Sequence, residues 1–117
     1  MGKIYVNENK ILLNQMIDIY KPDGFDWMSY QITKKNILTF HHILEATKGG
    51  LATIENGALI TKKAHRILNI LTTYDYLLYE EWQQLFCYIN KSRQPMDDYA
   101  KGYSRALKKH TQNIIYK

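Results

Sequence analysis

The stretch that decides the fold of this chain covers residues 36–70 and reads NILTFHHILEATKGGLATIENGALITKKAHRILNI. Residues 37–40 have the apolar and β-branched composition of a strand, and residues 57–60 have that of a second strand. The longest candidate loop, residues 43–55, separates them and carries Gly49-Gly50 in its middle. Paired glycines permit positive φ and the close approach of another backbone, or they form only a flexible tip. The pattern predicts a short β-hairpin.

A helix is predicted directly after the hairpin. Thr61 has the side chain of a good N-cap for a helix that begins at Lys62. The following apolar residues recur at the spacing of one helix face: Ala64, Ile67, Leu68 and Leu71. His65 and Asn69 are four residues apart on the neighbouring face, so their side chains lie one turn apart.

Helical patterns also flank this segment. Residues 8–20 and 75–91 repeat apolar side chains at helical spacing, the second through Leu78, Trp82, Leu85 and Ile89. Pro95 is well placed near the first turn of a last helix, and Asp97 and Asp98 favour the positive end of that helix. A weaker apolar stripe follows there, formed by Tyr99, Tyr103, Ala106, Leu107 and His110. Residues 25–32 mix aromatic and polar side chains and predict a short strand or an irregular bridge.

These patterns predict an α+β fold, a mostly helical domain with a short β-hairpin and its helix packed among about three further helices. The chain has 117 residues, which is enough for one domain, and 45% hydrophobic residues can form a core. No apolar run reaches the length of a membrane span, and no secretory signal is recognised, so we expect a cytoplasmic protein without membrane partners. Cys87 is the single cysteine, which excludes an internal disulfide framework and a four-cysteine zinc site.

Positive charge is concentrated in two regions of the chain. Residues 33–66 carry six basic side chains against two acidic ones, and residues 91–117 carry seven against two. A phosphate backbone would be attracted to both regions. A net charge of +5 is also common in small domains, where it serves solubility, and the sequence leaves the two interpretations open.

Three of the four histidines form a constellation with one asparagine. His41 and His42 end the first predicted strand, Asn56 follows fourteen residues after His42, and His65 follows nine residues after Asn56. Imidazole is the commonest metal ligand and a proton acceptor near neutral pH. A histidine at a strand end can also be satisfied by hydrogen bonds alone. His110 has no partner at this spacing and is interpreted as a structural or surface residue.

The constellation resembles the motif of the HNH endonucleases, the ββα-metal finger. That family ends a first strand with Asp-His or His-His, continues through a glycine-containing loop to an Asn before the second strand, and places a His or Asn in the helix. The phrase "LTFHHI…GG…NGAL…AH" also resembles short bacterial proteins of this type that are associated with phages and mobile elements. The resemblance covers residues 36–70 as the finger and implies that residues 75–117 form a helical C-terminal extension within a single domain, residues 1–117.

The resemblance implies a role for each motif residue. His41 and His65 would be ligands of one divalent metal ion, His42 the general base that activates water, and Asn56 the residue that ties the loop across to this base. Asn69 stands where some members place another histidine ligand. The implied activity is metal-dependent hydrolysis of DNA phosphodiester bonds. The sequence offers phosphate contacts in four side chains, for which a solvated surface is the competing interpretation: Lys48, Lys62, Lys63 and Arg66.

Two features separate the chain from many family members. It lacks the paired CxxC motifs of a supporting zinc, and Asn69 is a weaker ligand than histidine. The metal is left open between Mn²⁺, Ni²⁺, Zn²⁺ and Mg²⁺, since imidazole ligands suit the first three better. The expected partner is double-stranded DNA, and the oligomeric state, a homodimer included, is undetermined. The alternative is a protein of the same fold that binds nucleic acid without cutting it.

Overall fold

The computed structural model describes the backbone of residues 2–116 and the side chains of residues 10–116. Met1 and Lys117, the two ends of the predicted domain, lie outside the described residues. The elements follow the order α1 (Gly2–Tyr20), β1 (Leu38–His42), β2 (Gly57–Thr61), α2 (Lys62–Tyr74), α3 (Tyr76–Ser92) and α4 (Asp98–Ile115). This combination of four helices and one two-stranded sheet confirms the predicted α+β class.

The two strands form the predicted antiparallel hairpin. Leu38 is opposite Thr61 at the open end, His41 is opposite Ala58, and His42 is opposite Gly57 at the end that carries the loop. Gly57 is required there, because a Cβ at this position would clash with the Phe40 ring and the Met16 sulfur. The hairpin is thereby packed against α1, and β2 is buried along its whole length.

Helix α2 begins where the sequence predicts. The Thr61 hydroxyl accepts a hydrogen bond from the Ala64 backbone N–H at 3.2 Å, which satisfies one of the free donors of the first turn. The predicted apolar stripe of this helix is buried throughout: Ala64, Ile67, Leu68 and Leu71. The stripe fixes the rotation of α2 and leaves His65, one residue after Ala64, half-buried at the edge of the core.

Helix α3 is also confirmed. Its predicted seam of Leu78, Trp82, Leu85 and Ile89 is buried, and Trp82 is the core residue that the spacing indicates. Asp75 caps the helix through its carboxylate, which accepts the Leu78 N–H at 3.1 Å. Because α3 packs against both α2 and α4, it holds the hairpin–helix unit against the C-terminal half of the core.

The buried face of α4 differs from the prediction. Asp97 caps the helix, accepting the Ala100 N–H, and Pro95 lies just before the first turn, near the predicted start. Tyr99, Ala106 and His110 are exposed, and the buried residues are Ala100, Ser104, Leu107 and Thr111. Two of these, Ser104 and Thr111, are polar, so the spacing of apolar residues does not reveal that their face of α4 is buried. The Ser104 hydroxyl donates to the Trp27 carbonyl, and Thr111 receives the Trp82 indole N–H.

The segment between α1 and β1 is irregular, which is one of the two structures predicted for residues 25–32. Phe25 and Gln31 form an isolated bridge, and the Asp26 carboxylate inside this turn is buried. It accepts backbone N–H bonds from Met28 and Tyr30 and, at 2.7 Å, from Thr61. Burial raises the pKa of Asp26, while these N–H donors lower it. The segment is thus fastened to the start of α2.

Helix α1 ends at Tyr20 as predicted but begins earlier than residue 8. The chain then turns through Pro22, Asp23 and Gly24, and Gly24 has a φ of +77°. Within the described part of the chain, no helix combines the length and the apolar character that a membrane crossing requires.

Candidate functional site

Two histidines from different elements, strand β1 and helix α2, meet in the structure. His41, on β1, and His65, on α2, have ring centroids 5.3 Å apart, with the ring planes nearly perpendicular at 87°. His41 is 6% exposed and contacts Phe86 of α3, while His65 is half-buried. The hairpin register and the Thr61 cap produce this meeting, because together they fix β1 and α2 relative to each other.

The spacing of the pair fits joint ligation of one ion. Imidazole nitrogens bind zinc at about 2.0–2.1 Å, so two rings on one tetrahedral ion have centroids roughly 5 Å apart. Among residues 10–116, however, no three His, Cys, Asp or Glu side chains come together as a metal-binding group. This part of the chain therefore offers two imidazoles to an ion, and its further ligands would be water, substrate or a weaker donor.

The tautomer of His41 is set by Gln83, which lies on α3. The Gln83 side-chain N–H donates to the Ile43 carbonyl, an acceptor-only group, so the Gln83 oxygen must face the other way. That oxygen lies 2.9 Å from Nε2 of His41. Nε2 must therefore carry the proton, and Nδ1 of His41 keeps its lone pair. Partners of this kind orient metal-binding histidines in proteins.

Both imidazoles of the pair are held in the neutral form. Burial lowers the pKa of His41 to about 4, against the rise caused by the Gln83 hydrogen bond. Burial also lowers the pKa of His65, and the charge of His42 lowers it further. Metal binding needs neutral imidazoles, so the pair would not need to release protons near neutral pH.

His42 lies on the opposite face of β1 from His41, because successive strand residues alternate. Its ring contacts Phe40 edge-on, with centroids 4.9 Å apart, and it is partly exposed. The charge of His42 lowers the pKa of both His41 and His65. The charge of His42 therefore acts on both other imidazoles, although only His41 and His65 are in ring contact.

Asn56 closes the loop between the two strands through hydrogen bonds of its side chain. Its side-chain oxygen accepts the Leu44 N–H at 2.7 Å, and its amide donates to the carbonyls of Leu44 at 2.9 Å and Leu51 at 3.0 Å. The Asn56 carbonyl also accepts the Ile43 N–H. These bonds fix the two residues that follow His42, although none of them reaches the His42 ring itself.

The two glycines of the loop serve the two backbone functions that paired glycines permit. Gly49 has a φ of +90°, in the left-handed region. Gly50 has no unusual φ, but a Cβ there would overlap the Leu44 carbonyl and come within 2.9 Å of the Asn56 amide nitrogen. The loop is therefore closed on itself around Asn56 instead of forming a free tip.

The remaining candidate residues lie on the surface around this pair. Asn69 is exposed one turn after His65, and its backbone carbonyl accepts the Thr72 hydroxyl. Lys48 is exposed and lies 3.5 Å from the Glu45 carboxylate. The other three predicted phosphate contacts are exposed on the first turns of α2: Lys62, Lys63 and Arg66.

Two residues near the pair, Gln83 and Glu45, are not identified from the sequence. Gln83 is an ordinary helix residue, forty-two positions from His41, and only the packing of α3 reveals its contact. Glu45 is close enough for its charge to raise the pKa of His41. A search for acidic residues just beyond the His-His pair could have indicated Glu45, whereas no local pattern indicates Gln83.

No protein-family model, curated protein or solved structure matches this chain. The resemblance to the HNH endonucleases therefore rests on the sequence motif alone.

Proposed function

We propose that this protein is a metal-dependent endonuclease that hydrolyses DNA phosphodiester bonds. The observation that carries the proposal is the meeting of His41 and His65, 5.3 Å apart between ring centroids, with His42 following His41 on β1 and a loop closed by Asn56 after it. An incidental histidine needs one hydrogen-bond partner. It does not need a second imidazole from another element at a distance suited to a shared ion.

In this proposal each residue has one task. His41 and His65 hold a divalent ion, Mn²⁺, Ni²⁺, Zn²⁺ or Mg²⁺, which when bound would neutralise charge on the phosphate and stabilise the leaving oxygen. His42, partly exposed at the strand end, accepts the proton of the attacking water. Asn56 holds the backbone after His42, and Gln83 keeps Nδ1 of His41 free for ligation.

The charge around the pair supports a nucleic-acid substrate. Lys62 and Arg66 are four residues apart, on one exposed face of α2 that flanks His65. Lysine and arginine at such positions contact phosphates and set the register of a protein on DNA without reading its sequence. Lys48 contributes less in this proposal, because Glu45 already pairs with it.

Plasmid nicking tests the proposal directly. Supercoiled plasmid is incubated with the protein and each of the four metal ions, and open-circular product is measured. We expect nicking that a chelator abolishes and that His42→Ala removes while metal binding, measured by calorimetry, is retained. His41→Ala and His65→Ala should weaken metal binding itself.

His110→Ala is the matched control, because His110 is exposed on α4, outside the motif. It should cut at the parental rate. Cleavage by His42→Ala at the parental rate would show that the general base is another group. Absence of cleavage with every metal would overturn the endonuclease proposal.

One observation favours a second candidate, a protein of the same fold that binds DNA without cutting it. The described residues supply only two imidazoles to an ion, and Asn69 stands where a third ligand would be. This candidate predicts salt-sensitive DNA binding without cleavage in any metal.

A further inference from the structure

A second concave site lies away from the histidine pair, between α4 and residues 21–29. It is a cavity of about 750 Å³, which we call the cleft. Its walls include an aromatic ring, Phe25, and five basic side chains: Lys21, Lys101, Arg105, Lys108 and Lys109. Small-molecule sites in proteins have volumes of roughly 300–1,000 Å³, so the cleft has the size of a ligand site.

The positive charge of the cleft is largely uncompensated. In residues 10–116 the ion pairs are Lys48 with Glu45 and Arg93 with Glu55, and neither involves a cleft residue. Two carboxylates line the cleft, but Asp26 is buried and already accepts backbone N–H bonds. Among the described lining residues, Asp23 is therefore the one carboxylate left to offset the charge of the five basic side chains. The cleft has a net positive charge and would attract an anion.

The wall of the cleft also offers an exposed aromatic ring. Phe25 is 54% exposed, although it is a large apolar side chain next to the buried Trp27. Its backbone is held by the bridge to Gln31, so the ring is presented from a defined position. An exposed ring beside a row of cations is the arrangement that binds unstacked bases, which stack on the ring while their phosphates contact the basic groups.

One lysine of the cleft and one lysine of α2 lie over the same buried ring, that of Tyr30. Lys108 of α4 lies 4.6 Å from the centroid of Tyr30, and Lys63 of α2 lies 5.6 Å from the same centroid. Lys108 is also held by the Ser29 carbonyl, to which it donates at 2.8 Å. Lys108 is therefore held in place on the wall of the cleft.

We propose that the cleft binds a nucleobase together with its phosphate, as part of an unpaired nucleic-acid strand. Phe25 stacks on the base, and Arg105 and Lys109, four residues apart on α4, contact the phosphates. The identity of the strand as the nuclease substrate rests on the proposed function. The binding chemistry itself does not, because none of its residues belongs to the histidine site.

Fluorescence anisotropy with a short labelled oligothymidylate, in the presence of a chelator, tests the cleft without cleavage. For the double variant Arg105→Gln/Lys109→Gln we expect an affinity loss of about tenfold and a salt slope reduced by about 1.4, two phosphate contacts at about 0.7 each. For Phe25→Ala we expect a loss of about fivefold or more at an unchanged salt slope. Lys34→Gln/Lys35→Gln removes the same charge from an exposed turn outside the cleft and should change the affinity less than twofold.

Competition with thymidine monophosphate identifies the source of the nucleotide. Displacement of the oligonucleotide by the monophosphate assigns the cleft to a free nucleotide, and its absence assigns the cleft to a strand. Equal losses in the cleft and control double variants, or no effect of Phe25→Ala, would overturn the proposal. Plasmid nicking is scored separately, so a protein that binds the oligonucleotide without cutting contradicts the endonuclease proposal alone.

Discussion

At the scale of single residues, the chemistry of His41 is decided by a neighbour from another helix. Gln83 bridges the Ile43 carbonyl and the His41 ring, and the direction of its amide determines which ring nitrogen is protonated. A buried imidazole without this partner would be free to adopt either tautomer. The residue that matters most to the pair after its two histidines is therefore a glutamine.

We expect Gln83→Leu to let the His41 ring adopt both neutral tautomers. In the metal-free protein, the ¹⁵N signals of His41 should change from those of a single Nε2–H form to an average of both forms. Under the proposed function, metal affinity should fall by about 10–100-fold, since loss of such supporting hydrogen bonds has effects of this size.

Gln84→Leu provides the control, because it makes the same substitution at the next residue, which is exposed. It should leave the His41 signals unchanged. A Gln83→Leu protein whose His41 ring still reports the single Nε2–H form would show that another group fixes the tautomer.

The motif histidines and Asn56 could be predicted from sequence because their spacing is local and their side chains are chemically distinctive. His41, Asn56 and His65 lie within twenty-five consecutive residues. Gln83 could not be predicted, because its contact depends on how α3 packs against β1. The same reason applies to the cleft, whose walls are separated by about eighty positions along the chain.

At the scale of elements, the hairpin and α2 were predictable because each boundary has its own local cause. Thr61 caps the helix, and Gly57 and Gly50 stand where a side chain would clash. The extent of helix α4 was predictable, but the face that it buries was not. Ser104 and Thr111 are buried through bonds to Trp27 and Trp82, and such long-range partners leave no periodic apolar signal.

The loop between the strands leaves no room for a side chain at Gly50. Gly50→Ala should destabilise the protein by about 1–3 kcal/mol, because the new Cβ overlaps the Leu44 carbonyl and presses on the Asn56 amide. The free energy of unfolding from urea denaturation measures this loss. Under the proposed function, plasmid nicking should fall as well, since the same loop follows His42.

Gly102→Ala is the matched control in α4. A Cβ at Gly102 meets nothing within 4 Å, and alanine is favoured over glycine in a helix by about 1 kcal/mol. The control should therefore be more stable than the parent while Gly50→Ala is less stable. Equal effects of the two substitutions would show that the loop is not closed around Asn56.

At the scale of the whole molecule, the stability of the fold is linked to pH through the buried pair. An unfolded His41 has a pKa near 6.5, and burial lowers the pKa in the folded protein to about 4. Above pH 6.5 the residue is neutral in both states and its contribution is complete. As the pH falls from 6.5 to 4, the unfolded chain takes up a proton that the folded protein rejects, so stability is lost.

We expect acidification across this window, with a chelator present, to reduce the free energy of unfolding by on the order of 3 kcal/mol through His41 alone. His41→Gln keeps a hydrogen-bonding side chain opposite Gln83 but cannot titrate, so its stability should fall less steeply over the same range. The lowered pKa of His65 acts in the same direction, and the raised pKa of Asp26 acts in the opposite one. The contribution of Asp26, which lies outside the pair, is common to parent and variant and cancels in the difference. Parallel stability curves for the two proteins between pH 6.5 and 4 would mean that His41 takes up its proton equally readily in the folded and unfolded states. The neutral, buried pair on which the proposed metal site depends would then not form.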